Sequence, residues 1–213
     1  MTLAEVMQDA PIIAIIRGVK PGEASAIAGA LYEAGVRIVE APLNSPDPLE
    51  TIQILSREWG RKMICGAGTV LTVEKVEAVC AAGGKIVVSP DTRANVIRRA
   101  CGLGLTPMPG FATASEMFQA YDCGARYLKL FPASTYGPGH VKALKAVAPP
   151  DATIMAVGGA GPSMMADWWA AGARGFGLGT DIYSPGQSPE ATFEKASAAI
   201  KAVRALTGAQ VAA

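Results

Sequence analysis

The chain has 213 residues, half of them apolar, so it is long enough for one large domain with a sizeable buried core. Its 19 basic and 18 acidic residues leave a net charge of +1, and without a basic stripe this composition gives no support for nucleic-acid binding. No apolar run approaches the roughly 20 residues of a membrane-spanning helix, so we expect no membrane segment.

Short apolar runs alternate with helical segments along the chain. The first segment carries the capping-box pattern Thr2-Leu3-Ala4-Glu5 and predicts a helix over 2–9. Strands are predicted at 12–16, 36–41, 63–70, 85–90, 105–110, 126–130, 153–159 and 175–179. Helices are predicted at 21–34, 48–59, 72–82, 92–101, 113–121, 138–147, 163–171 and 188–206, with a long loop at 132–138 and a frayed tail at 208–213.

Eight strand–helix units predict a (β/α)8 TIM barrel that occupies residues 1–213 as one domain, with the additional N-terminal helix 2–9 closing its bottom. The fifth strand is the weakest, because Pro107 and Pro109 have no N–H to donate to a neighbouring strand. The alternative is an open doubly wound sheet. We favour the barrel because no GxGxxG follows the first strand and no linker divides the chain.

Lys129 stands in the middle of an apolar strand, between Leu128 and Leu130, and Pro132 ends that strand. A lysine is rarely buried without a partner, and burial lowers its pKa by disfavouring the ammonium. One interpretation is a neutral amine that forms a Schiff base with a ketone. The other is a strand-end lysine whose ammonium reaches solvent.

Polar side chains at the carboxyl ends of the strands are the candidates for chemistry, because active sites of this fold lie there. They are Arg17, Glu40, Asn44, Thr69, Ser89, Lys129 and Ser134. Glu40 shares the phase of Ile38 along an apolar strand. A poorly solvated carboxylate there would have a raised pKa suited to proton transfer. The alternative is a structural ion pair between Glu40 and Arg17 across the barrel mouth.

Three small-residue loops could bind anionic groups. The backbone N–H groups of Gly66-Ala67-Gly68-Thr69, with the Thr69 hydroxyl, could bind a carboxylate. Strands seven and eight end in Gly158-Gly159 and Gly179-Thr180, where this fold often binds phosphate. The glycines alternatively serve only tight turns. Two such loops together favour a phosphorylated small molecule.

The predicted strands and the loops that follow them contain six motifs: Arg17-Gly18, the stretch from Val39 to Pro46, Gly66-Ala67-Gly68-Thr69-Val70, the stretch from Leu128 to Ser134, Val157-Gly158-Gly159 and Gly179-Thr180-Asp181. Together they resemble the motifs of the 2-keto-3-deoxy-6-phosphogluconate and 2-keto-3-deoxy-6-phosphogalactonate aldolases. The resemblance covers roughly residues 11–205. It implies a class I aldolase with a (β/α)8 barrel, a covalent Schiff base, no metal or other cofactor, and assembly as a homotrimer.

The resemblance also implies roles for individual residues. Lys129 would form the Schiff base, Glu40 would act as acid and base, and Thr69 would bind the carboxylate end of pyruvate. Arg17 would contact the substrate at its carboxylate or its hydroxyls. The phosphate would be bound by Gly158, Gly159, Gly179 and Thr180.

Two positions near the substrate hydroxyls favour the galactonate epimer within this family. Members that act on the gluconate epimer usually carry Thr-Leu-Arg where this chain has Pro42-Leu43-Asn44, and a threonine where Val157 stands. We therefore expect cleavage of 2-dehydro-3-deoxy-6-phosphogalactonate to pyruvate and glyceraldehyde 3-phosphate. The gluconate epimer is the alternative substrate. Asp91, after Ser89-Pro90, follows neither common pattern.

Two other functions stay open on the residues alone. One is a metal-dependent pyruvate aldolase or a phosphate-binding isomerase. The metal-dependent aldolase would need a cluster of acidic or histidine ligands. The other is a non-catalytic ligand-binding barrel. We expect no metal site, because His140 is the only histidine and the cysteines, Cys65, Cys80, Cys101 and Cys123, are widely spaced. Reduced, mostly buried thiols and the lack of a signal-peptide pattern in 1–9 predict a cytoplasmic protein.

Overall fold

The computed structural model describes residues 2–208. The predicted frayed tail, 208–213, lies outside these residues except for Gly208, which adopts a left-handed conformation (φ 73°) and caps the last helix. No helix among the described residues is long and apolar enough to cross a membrane.

Helices and strands alternate as the sequence predicts. The strands are β1 (Ile12–Ile15), β2 (Ile38–Pro42), β3 (Ile64–Gly68), β4 (Ile86–Val88), β5 (Thr106–Met108), β6 (Gly110–Phe111), β7 (Tyr127–Leu130), β8 (Thr153–Val157) and β9 (Phe176–Leu178). The helices are α1 (Leu3–Asp9), α2 (Pro21–Glu33), α3 (Pro48–Trp59), α4 (Val73–Ala81), α5 (Ala94–Gly102), α6 (Ala114–Asp122), α7 (Ala133–Tyr136), α8 (Pro138–Lys145), α9 (Met165–Ala171) and α10 (Pro189–Thr207).

Local chemistry explains where the helices begin. The side chains of Thr2, Thr72, Thr113 and Ser188 accept hydrogen bonds from backbone N–H groups in the first turns of α1, α4, α6 and α10. Proline occupies the first turn of α2, α3, α8 and α10, where its missing N–H is not needed. These signals place the predicted helices within about two residues of the observed ones.

All nine strands belong to one parallel sheet with the order β5-β4-β3-β2-β1-β9-β8-β7-β6. The sheet closes through Pro109, because β5 pairs with β4 while β6, two residues later, pairs with β7. The carbonyl of Pro109 also accepts a hydrogen bond from the Lys129 N–H at 2.9 Å. The predicted (β/α)8 barrel is thus confirmed, and the open sheet is wrong. The weak fifth strand is split in two by its proline.

The short helix α1 closes the bottom of the barrel. Its Val6 and Met7 are buried against the inward-facing side chains of the strands, among them Ile13, Ile38 and Met155. The larger cluster lies between the sheet and the outer helices. The interior is therefore filled at the bottom, and only its upper end is available for chemistry.

Two expectations need correction. The segment 132–138 is not a plain loop, because Ala133–Tyr136 forms the single turn α7, closed by a hydrogen bond from the Gly137 N–H to the Ala133 carbonyl at 3.0 Å. One turn is too short to show a helical period in the sequence. The cysteines are free but not mostly buried: Cys65 and Cys123 are buried, Cys80 is partly exposed and Cys101 is exposed.

Candidate active site

Lys129 points into the barrel near its upper end. Leu128 and Leu130 pack into the outer core, so the side chain between them faces inward, and only 7% of Lys129 is exposed. Its Nζ lies 4.4 Å from the centroid of the Phe131 ring. A lysine with so little exposure carries a large desolvation cost when it is charged.

Glu40 lies inside the same barrel on β2. Val39 and Ala41 pack outward, whereas Glu40 shares the inward phase of Ile38 and is 2% exposed. Its carboxylate occupies the space above Gly68, where any Cβ would collide with it. One oxygen, Oε2, is buried without a hydrogen-bond partner among the described residues. Buried polar atoms are seldom left in this way, and such exceptions often mark functional sites.

Burial moves the pKa values of these two groups towards each other. It raises the pKa of Glu40 to about 7, against the opposing effect of the positive charges of Lys129 and Arg17. It lowers the pKa of Lys129 to about 8, against the opposing effect of the Glu40 carboxylate. The positive charge of Arg17 lowers both pKa values, because it favours ionised Glu40 and neutral Lys129. A neutral amine beside a carboxylate is the combination that Schiff-base chemistry needs.

Arg17 stands at the mouth of the barrel and does not form the structural ion pair considered as an alternative. Within residues 2–208, no salt bridge joins it to Glu40. Its Nη1 instead donates a hydrogen bond to Oδ1 of Asn44. The neighbouring Gly18 N–H donates to Oγ of Ser45 at 2.9 Å. The loops after β1 and β2 are thus joined twice, which orients the exposed Arg17 side chain.

The loops after β8 and β9 form a cavity of about 150 Å³ with Arg17. Six of the predicted substrate-binding residues line this cavity: Arg17, Val157, Gly158, Gly159, Gly179 and Thr180. Gly158 and Gly159 have φ values of 89° and 77°, which L side chains rarely adopt. A Cβ at Gly159 would also lie 2.7 Å from Cβ of Ser134. Glycine is therefore required at this wall of the cavity.

The other predicted residues lie outside the lining of that cavity. Lys129 and Glu40 are in the barrel interior, and Asn44 reaches the cavity only through Arg17. Thr69 follows β3 with a left-handed φ of 56°, a conformation that costs a threonine roughly 1–2 kcal/mol. Such strain in a non-glycine residue occurs most often at functional sites.

Comparison with known sequences shows to which protein family the chain belongs. A sequence model described as "KDPG and KHG aldolase" matches residues 3–204. The chain belongs to this aldolase family. A protein of Escherichia coli (strain K12), named 2-dehydro-3-deoxy-6-phosphogalactonate aldolase, is 48% identical over 194 residues, which are 91% of this chain and 95% of that protein.

Solved structures agree with the assignment to this aldolase family. A structure titled "Native KDPGal structure" superposes with a TM-score of 0.91 at 47% identity and covers 93% of this chain and 96% of that one. A designed, cube-shaped porous cage, made by fusing symmetric oligomeric domains, superposes with a TM-score of 0.92 at 47% identity, covering 93% of this chain and 74% of that chain.

Two further residues of this aldolase site, Phe131 and Asp181, lie within the sequence motifs but had no predicted role. Phe131 lines the cavity and also lies against Nζ of Lys129, so it connects the mouth of the barrel to its interior. Its position two residues after Lys129 on the same strand end was the available signal. Asp181 lines the cavity as well, which places a carboxylate where phosphate binding was predicted.

Asp91, which follows neither common pattern of the family, pairs with a residue nearby in the chain. Its Oδ2 pairs with Nε of Arg93 at 2.6 Å, while its backbone carbonyl accepts a hydrogen bond from Ser89 Oγ at 2.8 Å. Residues 2–208 contain no group of three or more histidine, cysteine, aspartate or glutamate side chains that could hold a metal ion.

Proposed function

We propose that this protein is a class I aldolase that cleaves 2-dehydro-3-deoxy-6-phosphogalactonate to pyruvate and glyceraldehyde 3-phosphate. One observation carries the proposal: Lys129 and Glu40 both face the barrel interior and are buried there, and Oε2 of Glu40 has no hydrogen-bond partner among the described residues. Burial lowers the pKa of Lys129 to about 8 and raises the pKa of Glu40 to about 7. At pH 7 roughly a tenth of Lys129 is then the neutral nucleophile, against less than a thousandth for an ordinary lysine.

The reaction begins at Nζ of Lys129. The neutral amine adds to the C2 ketone of the substrate, and the carbinolamine loses water to give an iminium ion. Glu40 supplies the proton that leaves with this water. The positively charged iminium can accept an electron pair from the C3–C4 bond, so the difficult carbon–carbon cleavage becomes two easier steps.

In the next step Glu40 acts as a base. Its carboxylate, through the free Oε2, accepts the proton of the C4 hydroxyl, C3–C4 breaks, and glyceraldehyde 3-phosphate leaves as the aldehyde. The remaining enamine takes a proton at C3, and water hydrolyses the resulting iminium to pyruvate and free Lys129. A pKa near 7 allows one carboxyl group to give and accept protons at neutral pH.

Substrate recognition in this proposal uses the rest of the site. The 6-phosphate binds in the cavity beside Gly158, Gly159, Gly179 and Thr180, where glycine lets the ligand approach the backbone. Thr69 binds the carboxylate end of pyruvate, and Arg17 contacts the substrate from the mouth of the barrel. No metal and no organic cofactor takes part.

The epimer preference rests on two positions. Val157 lines the cavity and has no hydroxyl group, and Oδ1 of Asn44 already accepts a hydrogen bond from Arg17. A valine cannot donate a hydrogen bond to a substrate hydroxyl, so it favours the epimer that needs none there. The gluconate epimer is the second candidate, and the ratio of kcat/KM for the two epimers decides between them.

Borohydride reduction in the presence of pyruvate tests the chemistry. We expect a covalent adduct on Lys129 in the wild-type protein, unaffected by EDTA, and none in Lys129→Ala. An unmodified mass in the wild type would refute the Schiff base. Loss of turnover with EDTA would point to the metal-dependent alternative, and pyruvate binding without turnover would point to a non-catalytic barrel.

The proposal extends to the assembly and location of the protein. The similarity to a component of a cage built from symmetric oligomeric domains supports a symmetric oligomer, and we propose a homotrimer in the cytoplasm. Light scattering coupled to size-exclusion chromatography should give about three times the 21.9 kDa chain mass. A mass of one or two chains would contradict the trimer.

A further inference from the structure

The loop after β9 folds as a single turn that presents Gly179 and Thr180 to the cavity. The N–H groups of Ile182 and Tyr183 both donate to the Gly179 carbonyl, at 2.9 and 2.8 Å. The carbonyls of Thr180 and Ile182 accept hydrogen bonds from side chains that lie outside this turn. The hydrogen bonds to these two carbonyls determine how rigidly the loop is held at the cavity wall.

Gln187 supplies the central contact. Its Nε2 donates to the Ile182 carbonyl at 2.7 Å and to Oγ1 of Thr192 at 2.9 Å. Thr192 is fully buried in α10 and donates in turn to the Ser188 carbonyl at 2.9 Å. The amide of Gln187 thus connects the turn to a fixed point in the first part of α10.

Lys195 completes this arrangement from the next turn of α10. Its Nζ donates to Oε1 of Gln187 at 2.8 Å and to the Thr180 carbonyl at 3.4 Å. Both ends of the Gln187 amide are therefore used, which defines its orientation. The ammonium group also places a positive charge behind the loop whose cavity side carries Asp181.

We propose that Gln187, held in place by Lys195, is a positioning residue for the phosphate-binding loop. This inference rests on the proposed function for the phosphate subsite. Neither side chain lines the cavity, so both act through Thr180 and Ile182. They align the backbone of residues 179–182 with the phosphate and offset the charge of Asp181.

The test compares substrates with and without the 6-phosphate. In Gln187→Met, which keeps the length of the side chain, we expect KM for the phosphorylated substrate to rise about tenfold, or about 1.4 kcal/mol. We expect kcat to stay within about twofold, and kcat/KM for the unphosphorylated sugar acid to be unchanged. Inorganic phosphate, as a competitive inhibitor, should weaken by a similar factor.

Lys195 offers a second variant on the surface, where loss of folding is not a concern. Lys195→Met should raise KM for the phosphorylated substrate, and Lys195→Arg should restore most of the effect, because it keeps the charge and the donors. The matched controls are Gln53→Met on α3 and Lys201→Met on α10, both at exposed positions. We expect wild-type kinetics from both controls.

The inference is wrong if the variants affect both substrates equally, if KM for the phosphorylated substrate stays unchanged, or if Lys195→Arg behaves like Lys195→Met. Failure of the proposed function has a different signature. In that case the wild-type protein itself would form no pyruvate adduct, or would show no preference for the phosphorylated substrate.

Discussion

Replacing Lys129 by methionine should make the protein inactive but more stable. The two side chains have similar length, and the methionine thioether carries no charge to desolvate. In the wild type, burial lowers the pKa of Lys129 from 10.5 to about 8. At about 1.4 kcal/mol for each pH unit, this shift corresponds to about 3 kcal/mol by which the folded state is destabilised while the amine is protonated.

The pH dependence of the gain follows from the direction of the shift. Below pH 8 the lysine is protonated in both folded and unfolded chains, so the full cost is present and Lys129→Met gains about 3 kcal/mol. Between pH 8 and 10.5 the folded wild type releases the proton first, and the gain shrinks. Above pH 10.5 both forms are neutral and the gain disappears.

Chemical and thermal denaturation at pH 7, 9 and 10.5 measure this difference, at one protein concentration so that the proposed homotrimer would contribute equally to every measurement. At pH 7 the variant should melt roughly 6–12 °C higher than the wild type. Lys142→Met, on the exposed face of α8, is the matched control and should change stability little. A variant that is no more stable, or a gain that is constant with pH, would refute the argument that Lys129 is buried at a cost.

Three further predictions concern the geometry of the site. Gly68→Ala should displace the Glu40 carboxylate, lower kcat about 100-fold in steady-state assays and slow borohydride trapping of pyruvate on Lys129; unchanged kcat would contradict the steric argument. Glu40→Gln removes the charge that raises the pKa of Lys129, so the acid limb of the pH profile for borohydride trapping should move to lower pH, and a move to higher pH would contradict the coupling. Gly159→Ala forces a left-handed alanine against Ser134 and should raise KM for the phosphorylated substrate at least tenfold, whereas Gly139→Ala, with open space around it, serves as the control.

The fold was predictable because its signals are local. The caps of Thr2, Thr72, Thr113 and Ser188 and the apolar strands between them depend only on neighbouring residues, so the order of elements and their bounds could be read within about two residues. The inward phase of Glu40 and Lys129 has the same origin, since side chains alternate along a strand. The single turn of α7 was missed because four residues carry no period.

The site was predictable as a set of residues but not as an arrangement. The sequence placed Lys129, Glu40 and the glycine pairs at strand ends, and the barrel rule brought those ends together. Only the tertiary structure decided that Arg17 meets Asn44 rather than Glu40, that Phe131 joins the interior to the cavity, and that Gln187 reaches Ile182. These contacts join side chains from different loops, whose direction depends on packing rather than on local sequence.

The pKa values show the same division. The sequence alone determined that this protein has a lysine and a glutamate in apolar strands, and therefore that their pKa values would be shifted if they were buried. The sizes of the two pKa shifts depend on the depth of burial and on the positions of Lys129, Glu40 and Arg17 relative to one another. Desolvation and charge–charge interactions act through space, and the closing of the barrel is what sets those distances.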